Sequence, residues 1–442
     1  MIHKEENKNK YLKFLDKKFK YTERGSNLKT EIIGGITTFL TMAYIVFVNP
    51  AILSDAGMDK GALITVTILA TAIGTMIFAF LGNAPFALAP GMGLNAFFTY
   101  SLVIGEGIHW TQGLGVVFIS GIVFLILALT GAREYIAKAI PKELSIASAA
   151  GIGLFLTFVG LKGMGVIVSN PDTLVALADF TPTVLISLLG LLLMIAFEVK
   201  KIKGGILISI VITTIISICM GFVELPSAII SMPPSIAPIA FKLDIIGALK
   251  ISLIGPIFSF MFIDMFDSLA FLIGCCKQMK LEDKDGNIPG LSKMLYADVI
   301  STLFGRLLGT STVTTFGESA AGIAAGARTG LASVITSLLF IVTLLFTPLL
   351  AIVPSYGASP ALVMVGVFMF ASIKGLDFTD SKCAIPAFIT VILMPLTYSI
   401  SIGLCFEFIS YIIMHVISGE TSKISFTLWI IGLLSVINLV LS

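Results

Sequence analysis

The chain has 442 residues, 57% of them hydrophobic and 12% charged, with a mean hydropathy of +1.03. Soluble domains carry about 25% charged residues, so a water-soluble core is excluded. The net charge of +2 singles out no partner.

Residues 1–30 carry Lys4, Lys8, Lys10, Lys13, Lys17, Lys18, Lys20, Arg24 and Lys29 without an apolar core. They do not form a cleavable signal peptide. Because they run straight into a membrane helix, they read as a cytosolic tail rather than a nucleic-acid-binding arm. Crossing the hydrocarbon takes about 20 predominantly apolar residues. Such runs predict spans near 31–53, 61–81, 84–101, 111–130, 145–162, 181–198 and 204–222. A connector over 223–247, with Pro226, Pro233, Pro234 and Pro238, interrupts the pattern. A second set follows near 248–276, 293–309, 311–327, 329–353, 358–373, 383–400 and 402–418, and one further apolar stretch covers 424–441.

The expected architecture is therefore an all-α polytopic membrane protein with seven plus seven spans. Threaded from a cytosolic N-terminus, Arg133, Lys138 and Lys142, then Lys200, Lys201 and Lys203, then Lys277, Lys280 and Lys284, then Lys374 and Lys382 all fall on the cytosolic side, as the positive-inside bias requires. An odd first half makes the second half enter from the opposite face, the inverted-repeat arrangement of many secondary transporters. Weak internal likeness agrees: Ser145-Ile-Ala-Ser-Ala-Ala with Gly160-Leu-Lys-Gly163 resembles Ser355-Tyr-Gly-Ala-Ser-Pro with Ser372-Ile-Lys-Gly375. The two repeats are 31–222 and 248–442.

Two spans carry interruptions. In the third, Asn83-Ala-Pro-Phe-Ala-Leu-Ala-Pro-Gly-Met-Gly-Leu-Asn-Ala-Phe-Phe-Thr-Tyr100 places Pro85, Pro90, Gly91 and Gly93 where one continuous helix is disfavoured. The expectation is an extended piece through about Pro90, then a short helix from near Gly91. The tenth, Thr310-Ser-Thr-Val-Thr-Thr-Phe-Gly-Glu-Ser-Ala-Ala-Gly322, repeats the form: a hydroxyl-rich segment, Gly317, then a small-residue helix. Non-helical backbone at membrane depth is tolerated where it is buried in protein or lines a polar cavity. Two such breaks in matching positions point to a binding site, with half-helix N-termini suited to a carbonyl or anionic edge. The plainer alternative is a pair of proline kinks in packed helices.

Acids lie in the same regions. Glu318 stands at the start of the second half-helix, and Asp264 and Asp267 lie three residues apart in the eighth span. A charged group at mid-bilayer costs on the order of 3 kcal/mol or more, so each needs a partner or a task. The rival role for Asp264 or Asp267 is a backbone cap or a pairing with a buried base such as Arg306. Asp298 and Glu407 are weaker candidates, suited to a helix contact. Asn95 can donate and accept at once, and an interhelical hydrogen bond is its rival role. Phe97, Phe98, Phe266 and Phe316 lie close in sequence to these groups. The cysteines Cys219, Cys275, Cys276, Cys383 and Cys405 show no metal spacing and read as small hydrophobes, and His3, His109 and His415 are scattered. No metal site or cofactor is expected.

The chain resembles the nucleobase–cation symporter-2 superfamily, and within it the AzgA-like branch of adenine, guanine and hypoxanthine permeases. The resemblance runs from about Leu28 to the C-terminus. It is carried by Ala89-Pro-Gly-Met-Gly-Leu-Asn-Ala-Phe-Phe-Thr-Tyr100, Phe262-Ile-Asp-Met-Phe-Asp-Ser268, Thr314-Thr-Phe-Gly-Glu-Ser-Ala-Ala-Gly322 with Ala327-Arg-Thr-Gly330, Ile385-Pro-Ala-Phe, and Met394-Pro-Leu-Thr-Tyr-Ser-Ile400. It implies a core domain (31–130 plus 248–353), a gate domain (145–222 plus 358–442), and elevator-like movement of one against the other. It also implies a substrate held between spans three, eight and ten by Glu318, Asp267, Asn95, Gly317, Phe316, Leu94 and Ser319. Proton coupling would fall to Asp264, Asp267 and Glu318. The eighth span departs from the pattern: relatives commonly have Asp-Thr-x-Gly-Thr, and here stands Asp267-Ser-Leu-Ala-Phe271.

The implied function is purine nucleobase import across the cytoplasmic membrane with protons, or sodium, by a chain that pairs as a homodimer in this family and takes no nucleic acid. Guanine and hypoxanthine lead, followed by adenine; a uracil or xanthine carrier of the same superfamily is the alternative. An anion exchanger is disfavoured because Glu318 would repel the anion, and a membrane enzyme would need a catalytic motif that the sequence does not display.

Overall fold

The structure, a computed structural model, describes residues 13–130, 141–226, 228–279, 281 and 288–441. The basic residues Lys4, Lys8, Lys10, Arg133, Lys138, Lys280 and Lys284, and the side chains of Phe266 and Asp267, lie outside the described residues. The chain is mostly helical. Among the described residues, eight helices are long and apolar enough to cross a membrane: Leu28–Ser54, Lys60–Leu81, Trp110–Thr130, Lys142–Gly163, Pro182–Val199, Gly330–Ala351, Ser355–Gly375 and Ile400–Ile417. Shorter apolar helices stand between and after them, at Met92–Gly105, Gly205–Cys219, Ile254–Met265, Ser381–Leu396 and Phe426–Val440.

Local chemistry sets the helix starts. Asn27 and Asp59 accept hydrogen bonds from Thr30 N (3.0 Å) and Ala62 N (2.7 Å), satisfying amides that the first turn leaves without partners. Pro182 follows the Thr181 cap at a position where its missing N–H costs nothing.

Two bodies of helices emerge from the packing. In one, Lys60–Leu81 lies against Leu291–Leu308 and Gly330–Thr343, which in turn meets Leu28–Met42; Trp110–Thr130 packs on Leu291–Leu308 and Ile254–Gln278. In the other, Lys142–Gly163 packs on Pro360–Phe370 and Ser381–Leu396, and Ser381–Leu396 on Ile400–Ile417. Hydrocarbon gives helices little hydrophobic reason to associate, so close packing of small residues supplies the attraction. A Cβ on Gly34 would lie 2.5 Å from Ala327 Cβ, and one on Gly35 2.5 Å from Ala332 O. In the second body, a Cβ on Gly153 would stand 2.6 Å from Gly366 O, and one on Gly366 2.4 Å from Gly153 O, so the two backbones touch.

Four features differ from the reading of the sequence. The first span is interrupted by a turn at Ala43 and Tyr44 between Leu28–Met42 and Ile45–Ser54. The first half-helix, Met92–Ala96, continues as a π-helix over Phe97–Gly105. A small hairpin, β2 (Ile167–Asn170) against β3 (Leu174–Leu177), follows the fifth span. The long helix of the eighth span starts at Ile254, not near residue 248.

Candidate functional site

The third and tenth spans each begin with an extended piece. β1 (Leu88–Pro90) pairs antiparallel with β4 (Val313–Thr315), with Leu88 opposite Thr315 and Pro90 opposite Val313. Gly91 N donates to Thr312 O (3.0 Å) and Phe316 N to Ala87 O (2.9 Å), extending the ladder at both ends. Two strands leave outer backbone groups without partners, and at membrane depth each such group costs several kcal/mol. Hydroxyls meet this need. Thr75 Oγ1 accepts from Leu88 N (3.0 Å) and donates to Leu88 O (3.1 Å). Thr302 Oγ1 donates to Val313 O, and Ser333 Oγ serves Ala84 O (2.9 Å) and Phe86 O (2.7 Å). Ser319 Oγ accepts from Ala87 N (3.0 Å). The hydroxyls that satisfy the strands come from neighbouring helices and from Ser319, whereas within the hydroxyl-rich segment Ser311 Oγ donates to Asn95 Oδ1 and Thr315 Oγ1 to Asp298 Oδ1 (3.1 Å).

From the ends of the two strands run the short helices Met92–Ala96 and Ser319–Ala324. Beside them lies a cavity of about 560 Å³, within the ~300–1,000 Å³ of small-molecule sites. Gly91 to Gly93 and Thr314 to Glu318 form its wall on one body; Met194, Val365, Phe368 and Met369 line it from the other. Thr41 and Phe271 complete the first wall, and the exposed residues Glu198, Lys201 and Lys203 mark the solvent mouth.

Glu318 caps the helix Ser319–Ala324 and lines the cavity; its Oε1 accepts a hydrogen bond from the Tyr44 hydroxyl. Tyr44 is fully buried in the turn that interrupts the first span. Phe316 and Gly317 also line the cavity. The remaining expected residues sit elsewhere. Asn95 is fully buried and donates to Asn49 Oδ1 (2.5 Å), while Ser311 Oγ donates to Asn95 Oδ1. Asn49 in turn donates to Thr67 Oγ1 (2.7 Å), so Asn95 ties the broken span to its neighbours instead of facing the cavity. Leu94 and Ser319 are fully buried behind the wall, and Ser319 is engaged by β1. Asp264 forms a fully buried ion pair with Arg306, Nη2 to Oδ2 2.8 Å, away from the cavity lining. The Asp267 side chain lies outside the described residues. Asp298 accepts from Thr315 Oγ1 of β4 (3.1 Å), and Glu407 accepts from Ser148 Oγ (2.6 Å) in a contact between helices.

Sequence reasoning missed Tyr44, Phe271 and the Glu198–Lys203 turn. A signal for Tyr44 existed: Thr38, Thr41 and Tyr44 fall at steps of three, one face of a helix. Thr38 packs on Gly322, Thr41 lines the cavity and Tyr44 reaches Glu318. For Phe271 the signal was the departure of the eighth span from the pattern of its relatives.

Comparison with known proteins agrees with this architecture. The xanthine/uracil permease profile, described as a permease family, matches residues 29–406. The chain is 46% identical over 427 residues to the putative permease MJ0326 of Methanocaldococcus jannaschii, covering 96% of this chain and 97% of that one. It is 40% identical to the adenine permease AdeP of Escherichia coli, covering 96% of each chain. It is also 40% identical to the guanine/hypoxanthine permease PbuG of Bacillus subtilis, covering 92% of this chain and 95% of that one. Among solved structures, the transmembrane domain of the cyanobacterial bicarbonate transporter BicA superposes with a TM-score of 0.66 at 18% identity, covering 85% of this chain and 97% of that one. At that identity the likeness concerns the fold alone.

Proposed function

The chain belongs to the nucleobase–cation symporter-2 family, which makes it a multi-pass membrane transporter and not an enzyme, and on that premise we propose that it imports purine nucleobases together with protons. Guanine and hypoxanthine are the proposed leading substrates, with adenine after them; the names of the relatives AdeP and PbuG, both at 40% identity, support all three bases without ranking them. The observation that carries the reading is the carboxylate of Glu318 at the cavity wall, held by Tyr44. A purine presents ring and amino N–H donors along one edge. A carboxylate fixed at a known angle accepts them, and a base with the wrong edge leaves buried groups unpaired.

The architecture we propose has fourteen crossings. The twelve apolar helices before Phe426 are joined by Leu291–Leu308 and by the strand–helix unit over residues 313–324, with Phe426–Leu441 additional. The halves form inverted repeats, and the two packed bodies act as core and gate. The mouth carries Lys201 and Lys203, which the positive-inside bias assigns to the cytosol. At the other end Ser101 Oγ donates to Tyr398 O (3.2 Å) and the Tyr100 ring packs edge-on against that of Tyr398 (centroids 5.7 Å), closing that side. This pairing of an open and a closed end supports an inward-facing state of an alternating-access cycle, in which the core slides against the gate. The N-terminus is cytosolic and the location is the cytoplasmic membrane. Glu318, whose residue lines the cavity and whose carboxyl can exchange its proton with solvent, is the first proposed proton-carrying acid, with Asp267 the second on the resemblance of its sequence position. The test is purified protein in vesicles: labelled hypoxanthine, guanine and adenine accumulate under an inward proton gradient. Failure of all three to accumulate refutes the proposal.

A further inference from the structure

Phe271 stands in the eighth span, and it lines the cavity. Of the aromatic residues that lie close in sequence to the polar groups, Phe97 and Phe98 are fully buried, with Phe97 stacked on Phe260 at a centroid distance of 4.4 Å, and Phe316 lines the cavity but is only 6% exposed. Phe271 is 39% exposed and lines the cavity. Its ring lies along Gly317: a Cβ built there would stand 2.7 Å from Cε1, 3.2 Å from Cδ1 and 3.4 Å from Cζ. Gly317 is therefore the residue that lets the ring approach, and its chain neighbour is Glu318, whose Cα is about 3.8 Å further on. An aromatic face and a hydrogen-bonding carboxylate thus meet within one residue of the tenth span, in a wall otherwise lean in side chains at Gly91 and Gly93.

We infer that Phe271 is the stacking platform of the substrate site, taking the flat face of the base while Glu318 takes its edge. The inference rests on the proposed purine specificity and adds a division of labour to it. Every base has a π-face, so stacking contributes affinity without choosing among bases; edge hydrogen bonds do the choosing.

Binding of guanine, hypoxanthine and adenine to detergent-solubilised full-length protein, measured by calorimetry, tests this. Phe271→Ala weakens all the bases that the wild type binds by a common factor of about ten, as expected for one lost stacking contact. Phe271→Tyr and Phe271→Trp recover most of that affinity, which a merely structural role for the ring does not predict. In Phe271→Trp the new indole is quenched at the base concentrations that saturate the wild type. A well-folded Phe271→Ala protein that binds within two-fold of wild type, or that loses one base and keeps another, overturns the inference. Should Phe271→Ala fail to fold, an indole in Phe271→Trp that is blind to saturating base overturns it as well. Wild-type protein that binds none of the bases overturns the proposed function, and this inference with it, and is distinguished by needing no variant.

Discussion

In the site we propose, Glu318 brings together one carboxylate, one hydroxyl that fixes it, and a cavity with room for a flat solute. Glu318→Gln keeps the shape of the side chain but turns one acceptor oxygen into an amide donor, facing the purine's own N–H groups. Uptake of labelled hypoxanthine in vesicles is expected to fall to background while the amount of folded protein in the membrane stays at the wild-type level; near-normal uptake removes Glu318 from the site. Tyr44→Phe takes away only the hydroxyl. A hydrogen bond to a charged group is worth about 1.5–3 kcal/mol, and part of it is lost as the carboxylate reorients. The expected result is an affinity for purines about ten-fold weaker with folding intact, read by calorimetry. If Tyr44→Phe binds like wild type, the carboxylate is oriented by something other than this tyrosine.

Among the elements, the two broken spans were legible because their cause is local: Pro85, Pro90 and the adjoining glycines disfavour a continuous helix, and a β-branched, hydroxyl-rich run before Gly317 favours extended backbone. The break at Ala43 and Tyr44 was not legible, since neither residue opposes a helix and Pro50 comes six residues later. The direction in which a polar group points was equally hidden. Asn95 needs partners wherever it faces, and its sequence position does not say that Asn49 and Ser311 supply them. Asp264 and Arg306 lie 42 residues apart on different helices, and their pairing is a product of the fold. Removing one member of a buried pair strands the other, at a cost of about 3–5 kcal/mol. Arg306→Met is therefore expected to lower the melting temperature in detergent by several degrees, and the double variant Asp264→Asn with Arg306→Met to recover much of it. If the double variant also keeps the wild-type pH dependence of uptake, Asp264 serves packing; a displaced pH profile would return it to the proton route.

The molecule as a whole divides into two bodies whose internal contacts are backbone-close, as at Gly34 with Ala327 and Gly153 with Gly366, while the contacts between them are sparser and mix apolar and polar groups, as where Phe262 meets Phe408 with ring centroids 5.1 Å apart. One such contact joins Ser259 of the helix Ile254–Gln278 to Ser401 of the helix Ile400–Ile417, with the two Oγ atoms 3.2 Å apart. That proximity is compatible with a disulfide once both are cysteine. If transport requires the first body to slide past the second by ångströms, a covalent bond here stops it, whereas a carrier that works by small local gates tolerates the link. The expected outcome for Ser259→Cys with Ser401→Cys, in a background where the neighbouring Cys405 is changed to serine, is uptake that falls to background on oxidation and returns with dithiothreitol, each single variant remaining active under both conditions. Binding of purine to the oxidised protein should persist, because the cavity residues are left as they stand. Sustained uptake by protein shown to be fully cross-linked would mean that the helices Ile254–Gln278 and Ile400–Ile417 keep their places through the cycle, and that alternating access arises within one body rather than between the two.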